Sequence, residues 1–419
     1  MSLLIRNLSQ IASSAGTAGV RGKRMGELRT WGRGSVILIR EGRFAFVGSQ
    51  SDMSVALRAT IDEDVDAAGA TAIPGFVDSH THLPFAGLRE SEFNRRIAGE
   101  SYEEIAASGG GIAATVRATR AASESDLVRL VIERSKTMAR YGTTTAEAKS
   151  GYGLNLPDEL KQLRAIRSAS ADAAVRLVPT CLAAHDFPPE GRGSEEKREA
   201  YLRLITEEIL PAVRRDDLAG FADVFVERGV YTIEEGRRVL TAAARLGLTP
   251  RIHADELSDT GGALLAAELH CASADHLMHI SNEGIAALAA SDTVANLLPA
   301  TSFFLMSDRY APARSLIEAG AIVSLSTDCN PGTSMTESMQ IVMQIATLRM
   351  RITVEEALTA ATLNGAFSLG LARETGSIEA GKRADLVLLD APNYLHLVYH
   401  FGVNLVRAVY RDGVPLVPL

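Results

Sequence analysis

Apolar and polar positions between residues 72 and 327 alternate on a repeating plan. Short apolar or β-branched runs occupy 72–80, 143–148, 174–184, 220–227, 249–255, 271–276, 292–298 and 321–327. Each has the length and composition of a buried strand. Helical patterns lie between them. From Ser123 to Tyr141, Leu127, Leu130, Val131 and Met138 share one face, Ser123 and Asp126 resemble a capping box, and Gly142 follows the last turn. Eight strands alternating with helices predict a (β/α)8 barrel of the TIM type, with its chemistry at the C-terminal ends of the strands.

Both chain ends have a different texture. Residues 1–70 contain strand-like runs, LLIRNL and SVILIREGRFAFVGS, broken by Gly and Asp, and residues 376–419 repeat the pattern in GSIEAGKRADLVLLD and LVRAVYRDGVPL. EGR and RDG are turn signals between alternating strands. The expected class is therefore α/β. A small β-sandwich-like domain is assembled from 1–70 and 371–419, and the barrel, 71–370, is inserted between them. The Gly- and Arg-rich stretch 16–34 is expected to be an exposed loop, and there is neither an internal repeat nor a low-complexity segment.

Composition narrows the function classes. The chain has 419 residues, 46% of them apolar and 22% charged, the balance of an ordinary globular protein with a sizeable core. A formal net charge of −8 argues against nucleic-acid binding and offers no attraction to an anionic membrane. No basic segment followed by an apolar run opens the chain, and no window approaches the length of a spanning helix, so a cytoplasmic protein is expected. Cys181, Cys271 and Cys329 are odd in number and lack any C-x-x-C pairing, which suits reduced thiols.

The candidate chemistry sits where the barrel predicts it. GFVDSHTH at 75–82 ends in His80-Thr81-His82, and residues two apart on a strand point the same way, so two imidazoles project together. His-x-His alone is a weak signal. Three later strand ends add His253, His276 and Asp328, and together they read as a metal site at one end of a parallel barrel.

GFVDSHTH, the β-rich termini and Asp328 at the last strand resemble the amidohydrolase superfamily over nearly the whole chain. Within it, SGGGI (108–112), GTTTAEAKSGYGL (142–154), HADE (253–256) and STDCNPGT (326–333) resemble the imidazolonepropionase family. The resemblance implies one Zn or Fe ion per subunit, a homodimer, and hydrolysis of 4-imidazolone-5-propanoate to N-formimidoyl-L-glutamate in histidine degradation.

The residues support that chemistry. Opening a cyclic amide needs an activated water, a polarised carbonyl and a proton for the leaving nitrogen. His80, His82, His253 and Asp328 offer three nitrogens and one oxygen, a set suited to Zn and tolerable for Fe. A metal lowers the pKa of bound water from about 15.7 towards roughly 7. Asp328 can also take a proton from that water. Glu256 is placed as general acid or base and His276 to polarise the carbonyl oxygen. A substrate carboxylate calls for a cation, and Arg89 is the candidate for a two-pronged contact. Tyr102 and Tyr152 could add hydroxyl donors, His185 could hold a ring or amide oxygen, and Asn330, Gly332 and Thr333 offer polar and backbone groups beside Asp328.

Each assignment has a structural rival. Glu256 could cap the helix after Gly261-Gly262, Arg89 could pair with Glu90 or Glu92 on the surface, and Asp328 could simply form a turn. Three other functions remain to be separated. One is a nucleobase deaminase, which would have no use for a carboxylate-binding Arg. Another is a metal-free scaffold, against which the retained ligands count. The third is a binuclear enzyme with a carboxylated Lys ending the fourth strand, but that strand ends in Glu227 and Lys149 sits on the second.

Overall fold

The computed structural model describes residues 2–59, 61–100, 104–105 and 108–419. Eight parallel strands run in sequence order around one sheet: β1 (Phe76–Asp78), β2 (Thr143–Lys149), β3 (Arg176–Ala184), β4 (Phe221–Val226), β5 (Ile252–Ala254), β6 (Ser273–His276), β7 (Val294–Leu297) and β8 (Val323–Leu325). Helices cover the outer face and bury a continuous apolar layer against the strands. The expected (β/α)8 barrel is the architecture found.

The last strand meets the first just beyond their ends. Asp328 N donates to the His80 carbonyl (3.0 Å) and His82 N to the Cys329 carbonyl (3.0 Å). Asp78 Oδ1 accepts from Thr327 N (3.0 Å), and Ser326 Oγ accepts from Ser79 N (3.1 Å). The bonds that close the barrel thus bring His80-Thr81-His82 beside Asp328.

The run read as one strand, 72–80, is two elements. Thr71–Pro74 pairs with Leu386–Leu389 and Gln10–Ser13 in the terminal sheet, while β1 alone belongs to the barrel. Gly75 is the joint. A Cβ there would lie 2.3 Å from Thr144 Oγ1, so only glycine lets the chain pass this close to β2. His80 and His82 accordingly lie past the strand, in extended chain held by the Thr81–Cys329 bridge.

Helix Glu124–Arg140 forms as its pattern requires. Ser123 and Asp126 make the capping box, Leu127, Val131 and Met138 are buried, and Leu130 is partly so. Gly142 adopts φ +94° at the turn into β2.

The termini build two further sheets. One has six strands and combines Gln10–Ser13, Arg29–Trp31 and Thr71–Pro74 with Leu386–Leu389, Val406–Arg411 and Val414–Val417. The other has four, Arg43–Ser49, Ser35–Arg40, Ser2–Arg6 and Glu63–Asp66. Leu3, Ile5, Ile37, Ile39, Leu386 and Leu388 form an apolar core with residues of both sheets.

The stretch 16–34 departs from the expected exposed loop. Met25 is fully buried and Gly22 N donates to the Ala321 carbonyl (3.1 Å) beneath β8. Arg21 donates to the carbonyls of Ala289 (3.2 Å) and Ser291 (2.6 Å). These are acceptors left over at and just beyond the end of helix Asn282–Ala289. Glycine permits the close approach and arginine finds helix-end acceptors, so a polar composition packs against the start of β8. No described helix is long and apolar enough to cross a membrane.

Candidate metal centre

Thr81 Oγ1 donates to the Glu147 carbonyl (2.5 Å), away from the site, so its two neighbours turn their imidazoles the other way, towards one another. With His253 of β5 they form a set in which one ring nitrogen from each lies within 4.8 Å of the others. Asp328 stands at φ +54°, the left-handed region, in the turn after β8. Its Oδ1 lies 3.5 Å from His80 Nε2 and 3.4 Å from His82 Nε2, and Thr301 Oγ1 donates to its Oδ2 (2.7 Å).

The donor chemistry fits a divalent metal. His80 Nδ1 donates to Asp275 Oδ2 (2.7 Å) and His253 Nδ1 to Asp223 Oδ1 (3.1 Å), so each imidazole, when neutral, keeps its lone pair on Nε2. Both are buried without a hydrogen-bond partner among the described residues, an arrangement that ordinarily costs about 1–3 kcal/mol per group. At His80, burial and the Lys149 ammonium oppose positive charge, yet the Asp275 and Asp328 carboxylates outweigh them and raise its pKa to about 9. The position favours a cation.

Glu256 leaves the end of β5 in a buried turn, and its Oε2 lies 3.6 Å from His276 Nε2. The helix that follows, Gly262–Glu268, is capped by its neighbour instead: Asp255 accepts from Gly262 N (3.0 Å) and Ala263 N (3.1 Å). Glu227, at the end of β4, accepts from Leu257 N (2.8 Å) and holds the turn from the other side. Burial, then the Asp328 and Glu227 carboxylates, push the Glu256 pKa up to about 8. Asp328 goes the other way, because the His80 and His82 side chains outweigh its burial and hold its pKa well below the usual carboxylate range. Burial lowers that of His276 to about 4, so this imidazole is neutral at pH 7. His276 also stands at φ +78°, a conformation that costs a side-chain-bearing residue about 1–3 kcal/mol and clusters at functional sites.

A wall of rings continues from the candidate ligands. His185 stacks on His82 with centroids 5.1 Å apart, and Tyr152 lies 5.8 Å from His82 and 5.3 Å from His185. His185 Nδ1 donates to the Gly151 carbonyl (3.0 Å), and burial beside His82 lowers its pKa to about 3. Arg89 does pair with Glu92, Nε to Oε2 at 2.9 Å, but the side chains are only 14% and 15% exposed, so this is no surface pair. Its guanidinium lies over Gly332, where a Cβ would come within 2.1 Å of Nη1. Asn330 is occupied within its own loop. It donates to the Asp328 carbonyl (2.7 Å) and accepts from Gly332 N and Thr333 N (2.8 Å each). Tyr102 lies outside the described residues.

One feature of the site escaped the sequence reading. Glu147, Asp223, Arg251 and Asp275 are buried beneath the imidazoles, with Lys149 among them. The signal was present: Asp223 interrupts the otherwise apolar strand FADVFV, and Asp275 directly precedes His276. A charge in a buried strand needs a partner.

Residues 71–416 match the model of the amidohydrolase family. The imidazolonepropionase of Porphyromonas gingivalis is 47% identical over 414 residues, spanning 99% of this chain and 97% of that protein. That of Symbiobacterium thermophilum is 48% identical over 413 residues, spanning 98% and 96%. Among solved structures, an adenosine deaminase from Xanthomonas campestris with bound zinc aligns with a TM-score of 0.70 at 20% identity, covering 99% of this chain and 92% of its own. A 5-methylcytosine deaminase from Klebsiella pneumoniae aligns at 0.72 with 18% identity, covering 100% and 98%. Identities that low speak for the fold alone.

Proposed function

This chain belongs to the amidohydrolase family, and we propose that it hydrolyses the cyclic amide of 4-imidazolone-5-propanoate to N-formimidoyl-L-glutamate in histidine degradation. The observation that carries this reading is its identity of 47–48%, over nearly full length, to proteins named imidazolonepropionase. The largely shielded Arg89, whose guanidinium lies over Gly332 in the loop after Asp328, adds support, because a nucleobase has no carboxylate for it to bind.

His80, His82, His253 and Asp328 would hold one zinc or iron ion per subunit, which would supply Lewis acidity and lower the pKa of water from about 15.7 towards roughly 7. The two carboxylates have pKa values pushed apart, which divides their roles. Asp328, kept low, accepts the proton of the attacking water. Glu256, protonated up to about pH 8, gives its proton to the ring nitrogen as the C–N bond breaks. Neutral His276 donates a hydrogen bond to the carbonyl oxygen as charge builds on it. Arg89 holds the propanoate carboxylate through paired N–H donors. Tyr152 and His185 form the wall beside the ring, and Tyr102 adds a hydroxyl. Asn330 and Thr333 keep the turn that presents Gly332 to Arg89.

The proposal extends to a cytoplasmic homodimer and to the division of the chain at 1–70, 71–370 and 371–419. Light scattering tests the dimer and limited proteolysis the division. Metal analysis of purified protein with an imidazolone propionate assay tests the function itself. One zinc or iron per chain with turnover is expected. Metal-replete protein that turns over a nucleobase but not imidazolone propionate would overturn it.

A further inference from the structure

Lys149 is the last residue of β2, and its side chain points into the barrel lumen among three carboxylates. Its Nζ lies 2.6 Å from Asp223 Oδ2, 2.8 Å from Glu147 Oε2 and 3.7 Å from Asp275 Oδ2, and all four side chains are fully buried. Asp223 and Asp275 also accept the outer nitrogens of His253 and His80. Arg251, equally buried, lies with Nε 3.0 Å from Glu147 Oε1 and Nη2 3.7 Å from Asp275 Oδ2. The group therefore holds three carboxylates against two fixed cations.

Two details separate this cage from an ordinary ion pair. Asp223 and Asp275 each place a carboxylate oxygen within 4.8 Å of the other, beside His253, a spacing that suits metal coordination. Glu147 Oε2 and Asp275 Oδ1 are buried and accept no hydrogen bond among the described residues, so charge rather than hydrogen bonding must compensate them. Taking an ammonium out of water is costly, and it is tolerated only where opposite charge surrounds it. Hard oxygen donors converging on one point are also what a small divalent cation takes.

We propose that the Lys149 ammonium is a built-in substitute for a second divalent cation. It fills the carboxylate cage behind the imidazoles, fixes the centre at one metal ion, and holds Asp223 and Asp275 against His253 and His80. This rests on the reading of His80, His82, His253 and Asp328 as the site of the first ion. Lys149 is in this sense a positioning residue that acts through the two aspartates.

The test counts metal. Stripped wild-type protein and Lys149→Met are reloaded with cobalt(II), counted by native mass spectrometry and followed by visible absorption. Wild type should stop at one ion per chain. Lys149→Met leaves three carboxylates against Arg251 alone and should take two, with a changed spectrum for the first ion. A folded Lys149→Met chain that stops at one cobalt with the wild-type spectrum overturns the proposal. Wild type that takes none instead defeats the metal reading on which it rests. If Lys149→Met folds only with cobalt and holds two ions, the proposal stands. Should it fail to fold even then, Lys149→Met/Glu147→Gln restores an excess of one carboxylate and is expected to fold and take a single ion. Failure of both variants to fold would show that lumen shape, not charge, is what Lys149 provides, and would overturn the proposal.

Discussion

The two interiors of this protein are built on opposite principles. Between the terminal sheets, Leu3, Ile5, Ile37, Ile39, Leu386 and Leu388 form an apolar core, where each large aliphatic side chain contributes about 1.5–3 kcal/mol by leaving water. In the barrel lumen, Glu147, Lys149, Asp223, Arg251 and Asp275 are just as inaccessible, yet all are charged. A hydrophobic set would give at least equal stability there, since buried ion pairs seldom exceed the packing that could replace them. The barrel already has its apolar layer between strands and helices. Its lumen is thereby released to orient imidazoles, and stability and chemistry occupy different layers of one fold.

Substitutions can break or sharpen that contrast. The largest effect is expected at the ligands: His80→Ala or His82→Ala should abolish nearly all turnover and most bound metal, measured by plasma mass spectrometry beside the assay. Full metal content with normal activity in either variant would refute the site. Next, Glu256→Gln should keep the metal while kcat falls by a factor of about 10²–10⁴. Because the pKa of Glu256 is raised to about 8, the proton it donates is present below that pH and absent above it. The wild-type kcat/KM should therefore decline as pH rises through about 8, and the Gln variant should lack that limb. A pH profile shared by both proteins would assign the proton to another group.

Arg89→Ala should cost about 2–5 kcal/mol in kcat/KM, and Arg89→Lys should mainly raise KM, because ammonium keeps the charge but loses the fork. Wild-type kcat/KM in the Ala variant would mean that the carboxylate is held elsewhere. The smallest effect on chemistry belongs to the sandwich. Leu388→Ala should lower stability by about 2–5 kcal/mol in urea denaturation while leaving kcat unchanged. A fall in kcat there would show that the two interiors are coupled.

What the chain alone determined follows from local periodicity. Alternating apolar runs and 3.6-residue patterns are set by neighbours a few positions apart, so all eight barrel strands and the capping box at Ser123 were legible, as was the β-rich texture of both ends. The ligand candidates were legible too, because a polar residue at the end of an apolar strand stands out by type. Tertiary structure decided which of several polar neighbours does which job. Asp255, not Glu256, caps the following helix. Gly75 divides one apolar run between two sheets, and Arg21 of the 16–34 stretch ties down the end of helix Asn282–Ala289. Above all, His80 meets Asp275 across 195 residues, and Lys149 meets Asp223 across 74. Whether a buried charge is paired depends on distance in space, and only barrel closure sets that distance.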